Sequence, residues 1–351
     1  MAVYTTINDG TAYFQTSTYD GNGSDDRNIT YDGNSNMQPD FLWFKRRNQA
    51  VNHILFDSTR GVTSRIHSNN TNAAAIEANF LQAFNSDGFQ VGTDADINGS
   101  GGTFVSWGWK ANGGTTASNT AGSITSTVQA NTTSGFSVVT YTGTQANATV
   151  GHGLGVAPKC IISKCISSSN GWPIYHYSLT ATDFIRLNST NGTSDNAAVW
   201  NDTEPTSTVF SIGANDENNK SSATQLAYCF AEKQGYSKFG SYTGNANADG
   251  PFAYTGFKPA FLIIKNTSDS DDQWLMWDNK RSPTNPVDDY LEPSTNSAEY
   301  ANSNWAIIDF VSNGFKIRSS DISYNQSGYK YIYMAFGETF VSSEGVPCTA
   351  V

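Results

Sequence analysis

The sequence predicts an all-β protein made of three tandem antiparallel β-sandwich modules of jelly-roll or lectin-like type, and three observations predict it. One ordered set of short apolar blocks occurs three times along the 351 residues. The chain carries 8 Trp, 17 Tyr and 20 Phe, and aromatic side chains fit pleated, half-buried strands better than helices. Asn, Ser, Thr, Gly and Asp crowd the stretches between blocks, which is the chemistry of turns and short loops.

The third copy is the clearest: Tyr242-Thr243-Gly244-Asn245, then 259–265, Trp274 and Trp277-Asp278, 312–317, and finally 328–336. Counterparts in the first copy are Tyr19-Asp20-Gly21-Asn22, 39–45, Phe56-Asp57, 86–91 and 102–109; in the second they are Tyr141-Thr142-Gly143-Thr144, 158–164, 172–176, 209–212 and 223–230. The proline that opens the second block recurs at 39, 158 and 259, spacings of about 100–120 residues that suit domains and not solenoid turns. Phe261 to Ile264 is apolar at every position, as a strand covered on both faces requires. In 330–336, period-2 alternation places Ile332, Met334 and Phe336 on one face and Tyr331 and Tyr333 on the other. Asp87-Gly88 and Asn313-Gly314 supply hairpin turns. Helical spacing of apolar residues occurs over 73–84, where a short helix is expected. The boundaries follow: module one over 1–112, a Gly/Ser/Thr-rich linker over 113–134, module two over 135–235, module three over 236–345 and a tail over 346–351. The short join between 230 and 242 predicts that modules two and three pack as a fixed pair.

Composition narrows the function. A formal charge of −11 without a basic stripe argues against nucleic acid, whose binding draws on clustered Lys and Arg. Residues 1–14 lack the basic and apolar regions of a secretion signal, and no run reaches the roughly 20 apolar residues of a membrane span, so the expectation is folding in the producing cell's cytoplasm without membrane insertion. Cys160, Cys165, Cys229 and Cys348 have no disulfide-scaffold spacing and read as free thiols.

Candidate sites are few. His53, His67, His152 and His176 lie far apart in sequence and outside metal motifs. Asp57 and Arg60 recur as Asp278 and Arg281 at the same spacing and read as a structural acid–base pair at a strand end. Asp271-Asp272 and Asp288-Asp289 read as solvated loops. Asp94, Asp96 and Asn98 imitate the start of an EF-hand loop, but Val105 stands where the bidentate Glu belongs, which leaves only a loose Ca²⁺ site with no other cofactor expected. Trp43, Trp107, Trp172 and Trp277 occupy matched strand positions and read as packing, whereas Trp200 and Trp305 fall outside the strand blocks and are the expected exposed binding aromatics.

The run Gly151-His152-Gly153-Leu154-Gly155-Val156-Ala157-Pro158, the stretches 172–177 and 200–210, and Tyr242-Thr243-Gly244-Asn245 with 250–259 and 277–281 resemble repeat modules in tail and virion structural proteins of marine tailed bacteriophages. The resemblance covers roughly 10–340 and is weaker in the first module. It implies a non-enzymatic virion surface protein, a tail fibre, receptor-binding or other tail-appendage component. The alternative is a capsid decoration (cement) protein, with a polysaccharide depolymerase ranked behind both. Implied partners are other virion proteins, copies of itself, and a host surface glycan or protein.

Overall fold

A computed structural model describes residues 5–269, 271–338, 340–341 and 347–348. The fold is all-β. Its strand ladders run antiparallel, and the helices among the described residues are single turns.

The same four-strand order appears three times. The first unit orders Phe14–Asp20, Thr103–Trp109, Phe41–Arg46 and Ile54–Asp57; the third orders Ser237–Thr243, Lys330–Phe336, Phe261–Asn266 and Leu275–Asp278. In the second, Phe136–Thr142, Thr224–Phe230, Cys160–Cys165 and Pro173–His176 form the middle of an eight-stranded sheet. Each large sheet carries a smaller one on its outer face: Arg27–Ile29 with Phe89–Val91 and Leu81–Phe84, Ala148–Gly151 with Val209–Ile212, and Phe252–Tyr254 with Gly314–Ile317 and Ile308–Val311.

Alternation along the strands decides what each face covers. Tyr331 and Tyr333 enter a cluster private to the third unit, with Trp277, Phe310 and Phe315. Ile332, Met334 and Phe336 enter a different cluster, which also takes Val105, Trp107 and Trp109 from the first unit and Leu226, Tyr228 and Phe230 from the second. Both faces of each large sheet are therefore apolar, because one packs within its unit and the other packs on a core shared by all three. Trp109, Phe230 and Phe336, the last inward residues of the three central strands, touch one another with ring centroids 5.6–6.4 Å apart. They mark a pseudo-threefold axis.

Two sequence expectations fail. The 113–134 segment is not a linker: Ala117–Asn119 and Ser126–Asn131 extend the second unit's sheet. Its polar composition hides the alternation that buries Ser126 and Val128, and buried Gln129 ties it to the first unit by donating to Ser58 Oγ and Thr59 Oγ1. The 73–84 segment is not helical, since Ala75–Ile76 pairs with Ser64–Arg65 and Leu81–Phe84 with Phe89–Val91. A turn around Gly88, with φ of 90°, closes that hairpin and outweighs the helical spacing. Units two and three do pack together, but the first unit shares the same core. Cys160, Cys165 and Cys229 are free and buried; the side chain of Cys348, and most of the 346–351 tail, lie outside the described residues.

Candidate functional site

The Asp94 loop is a helix cap. Asp94 accepts from the Asp96 amide at 2.8 Å and opens the turn Ala95–Asn98. Asn98 is fully buried, with Nδ2 donating to the carbonyls of Ser24 and Gly92 at 2.8 Å and Oδ1 accepting from Asn22 N and Arg27 Nη1. Its side chain has no lone pair aimed outward for a cation. The device recurs: Asn215 caps Asp216–Asn219 and Asp321 caps Ile322–Asn325, and buried Asn219 and Asn325 each hold two carbonyls and one amide. Tyr19, Tyr141 and Tyr242 donate to the carbonyl before each of these asparagines, at 2.6–2.8 Å. At Gly21, Gly143 and Gly244 a Cβ would come within 2.1–2.2 Å of a carbonyl oxygen just past the turn, so no larger residue fits. The sequence signal missed was Asp/Asn-x-x-x-Asn ending five residues before each unit's last long strand. Among the described residues, no group of three or more His, Cys, Asp or Glu is placed to hold a metal ion.

The two tryptophans expected at the surface are not free to bind. Trp200 is 2% exposed, because the Asn196-capped turn Ala197–Trp200 rotates it into the second unit's core against Tyr175. Trp305 is half-buried, edge-on to Tyr290 at 4.9 Å. Among the described residues, the most exposed aromatics are Phe252 (47%) and Tyr254 (58%), on an edge strand of the third unit's small sheet, and Tyr177 and Tyr300 are exposed as well.

Charged groups concentrate at the seams between units, in cyclic order. Buried Lys45 donates to the carbonyls of Gln49, Val51 and the third unit's Asn296; Lys164 to Asn170 and the first unit's Thr71; Lys265 to Asp272 and the second unit's Thr190. Burial pushes all three ammonium groups down to about 8. Two residues beyond each lysine, a carbonyl accepts from the same neighbouring unit: Glu299 N to Arg47 O and Ala74 N to Ile166 O, both 2.8 Å, and Thr193 N to Thr267 O, 3.1 Å.

The Asp57–Arg60 and Asp278–Arg281 pairs are buried, each with Nε 2.5 Å from Oδ2. Asp57 also accepts from the second unit's Tyr228 hydroxyl at 2.8 Å, and Asp278 from the first unit's Trp107 indole at 3.1 Å. At the remaining seam Met334, which has no polar hydrogen, stands at the donor position, and His176 replaces the aspartate, its Nε2–H donating to the Tyr333 carbonyl at 3.1 Å. Burial lowers His176 to about 4, so the ring is neutral at pH 7. Burial would raise Glu299, but Arg281 and Arg47 outweigh it and hold its carboxyl below the usual range. Asp272 accepts from Asn266, and Asp289 from the Asn302 amide, so neither acidic pair is a simple solvated loop.

The seam between the second and third units opens into a polar groove of about 540 Å³. Its walls include Leu179, Thr180, Asp183, Thr193, Ser268 and Lys330. Leu179 sits three residues after His176, where the other units place Arg60 and Arg281.

A family model described as a domain of unknown function, DUF7483, matches residues 9–339, and the chain belongs to that family. Comparison with curated proteins and with solved structures gave no match.

Proposed function

We propose that this member of the DUF7483 family is a non-enzymatic structural protein on the surface of a tailed-phage particle, a tail-fibre, receptor-binding or related tail-appendage component. The observation that carries the reading is the closure of three units around one aromatic core. Such a body presents loops from a shared frame, which is what a particle-surface protein needs. The residues a catalytic reading would draw on support it too: Asp57, Arg60, Asp278, Arg281 and His176 are buried at seams and hydrogen-bonded to neighbouring units or to one another. The resemblance of 151–158, 172–177, 200–210, 242–245, 250–259 and 277–281 to phage virion modules supplies the setting, and other virion proteins or further copies of the chain are the partners that go with it.

The test is to find the protein on purified particles and image it with a label fused to the chain. Label at the tail is the expected result. Label distributed over the capsid replaces the reading with a decoration protein. Absence from particles, or release of reducing sugar from host capsule by the purified chain, overturns it.

A further inference from the structure

We propose that the groove between the second and third units binds a short, neutral oligosaccharide. Its volume of about 540 Å³ falls in the range of small-molecule sites, roughly 300–1,000 Å³. Most such sites are apolar, and this one is not. Apart from Leu179, the side chains in its walls are mostly hydroxyls and carboxylates with one ammonium, so a ligand that gains from it must carry many hydrogen-bonding groups of its own.

The donors and acceptors are arranged for hydroxyls. Asp183 is an acceptor-only carboxylate; Oδ2 already takes the Thr180 hydroxyl at 3.1 Å, and a carboxylate retains several lone pairs that suit neighbouring sugar hydroxyls. Lys330 directs its ammonium at the Ser178 carbonyl, which uses one of three donors. Ser268 Oγ accepts from Lys330 N at 3.0 Å, which leaves its proton to donate. Asp269 also lines the groove, so acids outnumber the single base and an anionic ligand is disfavoured. A lone cation would leave most of the hydroxyl wall unused.

The groove exists because the second unit breaks the repeat. Arg60 and Arg281 fill the corresponding turns of the other units with buried guanidinium groups, each bonded to its aspartate. Leu179 is shorter and makes no such bridge, and it lines the groove together with Thr180, Asp183, Thr193 and Ser268. Loss of the paired arginine and opening of the seam go together.

This inference adds a ligand class to the recognition role proposed above and rests on that reading only for its biological setting. The experiment uses the full chain with maltotriose, cellotriose and chitotriose as probes, read by saturation-transfer NMR and calorimetric titration. At least one probe is expected to bind. Asp183→Ala, which removes the central acceptor, and Thr180→Trp, which fills the groove from an exposed position, are each expected to weaken binding by about tenfold or more with an unchanged melting temperature. Binding of none of the three probes at millimolar concentration, or binding unaltered in both variants, overturns the proposal. Either result leaves the particle location to its own imaging test.

Discussion

Replacing Lys164 with methionine tests whether the seams hold the units together. The side chain is fully buried, and its ammonium donates to Thr71 O at 3.0 Å and Asn170 O at 2.6 Å, joining the first unit to the second. Methionine keeps the apolar stem and removes both donors. Hydrogen bonds to a charged group contribute about 1.5–3 kcal/mol each, so their loss costs about 3–6 kcal/mol. Against this stands the relief of burying an ammonium. Burial lowers the lysine from 10.5 to about 8, which corresponds to about 3 kcal/mol. The expected net loss is about 0–3 kcal/mol, read as a lower denaturant midpoint at an unchanged slope in fluorescence-monitored unfolding. A gain in stability, or a loss well above about 3 kcal/mol, would refute the reasoning. So would a new, separate transition for one unit, because the remaining seams and the shared core should still unfold together.

Three further outcomes follow from the same contacts. Asn325→Ala strips two carbonyls and one amide of their buried partner and should cost about 2–4 kcal/mol by chemical denaturation, with an effect under 1 kcal/mol contradicting the capping role. Trp200→Ala should cost about 3–5 kcal/mol as a core truncation, and a variant as stable as the parent would mean that the indole is not buried. Burial depresses all four histidines, His67 and His176 to about 4, so the unfolded chain binds more protons than the folded one between pH 6.5 and 4, and stability falls as pH falls through that window. Glu338, raised by burial to about 7, works in the opposite direction between 7 and 4.5, but it cancels when parent and His176→Gln are compared; the variant should lose less stability between pH 6.5 and 4 by roughly 1–3 kcal/mol, and parallel curves would contradict the assignment.

Much of the strand content was legible in the sequence, because a period of two leaves its mark on composition. The alternation in 330–336 separates the tyrosines that pack inside the third unit from the residues that reach the axis. The alternation states that both faces are covered, yet it cannot say by what, and the closure of three units around Trp109, Phe230 and Phe336 was invisible for that reason. The segment 113–134 was misread because its buried strand positions include Ser126 and Gln129, polar residues held by specific bonds that composition does not reveal. Trp200 was misread because a one-turn helix has too few residues to display a period, so the direction of its indole depended on the Asn196 cap. Lys45, Lys164 and Lys265 end the same block in each copy, but the sequence does not say what they bond. Only the folded chain shows that each ends in the backbone of the next unit around the ring.

Differential scanning calorimetry of the full chain at pH 7 addresses the shared core most directly. If the three units fold as one body, they melt in a single transition and the calorimetric enthalpy equals the van't Hoff enthalpy, a ratio near one. A ratio of about three, or three resolvable transitions, would mean that the units unfold independently and that the core at the axis does not join them.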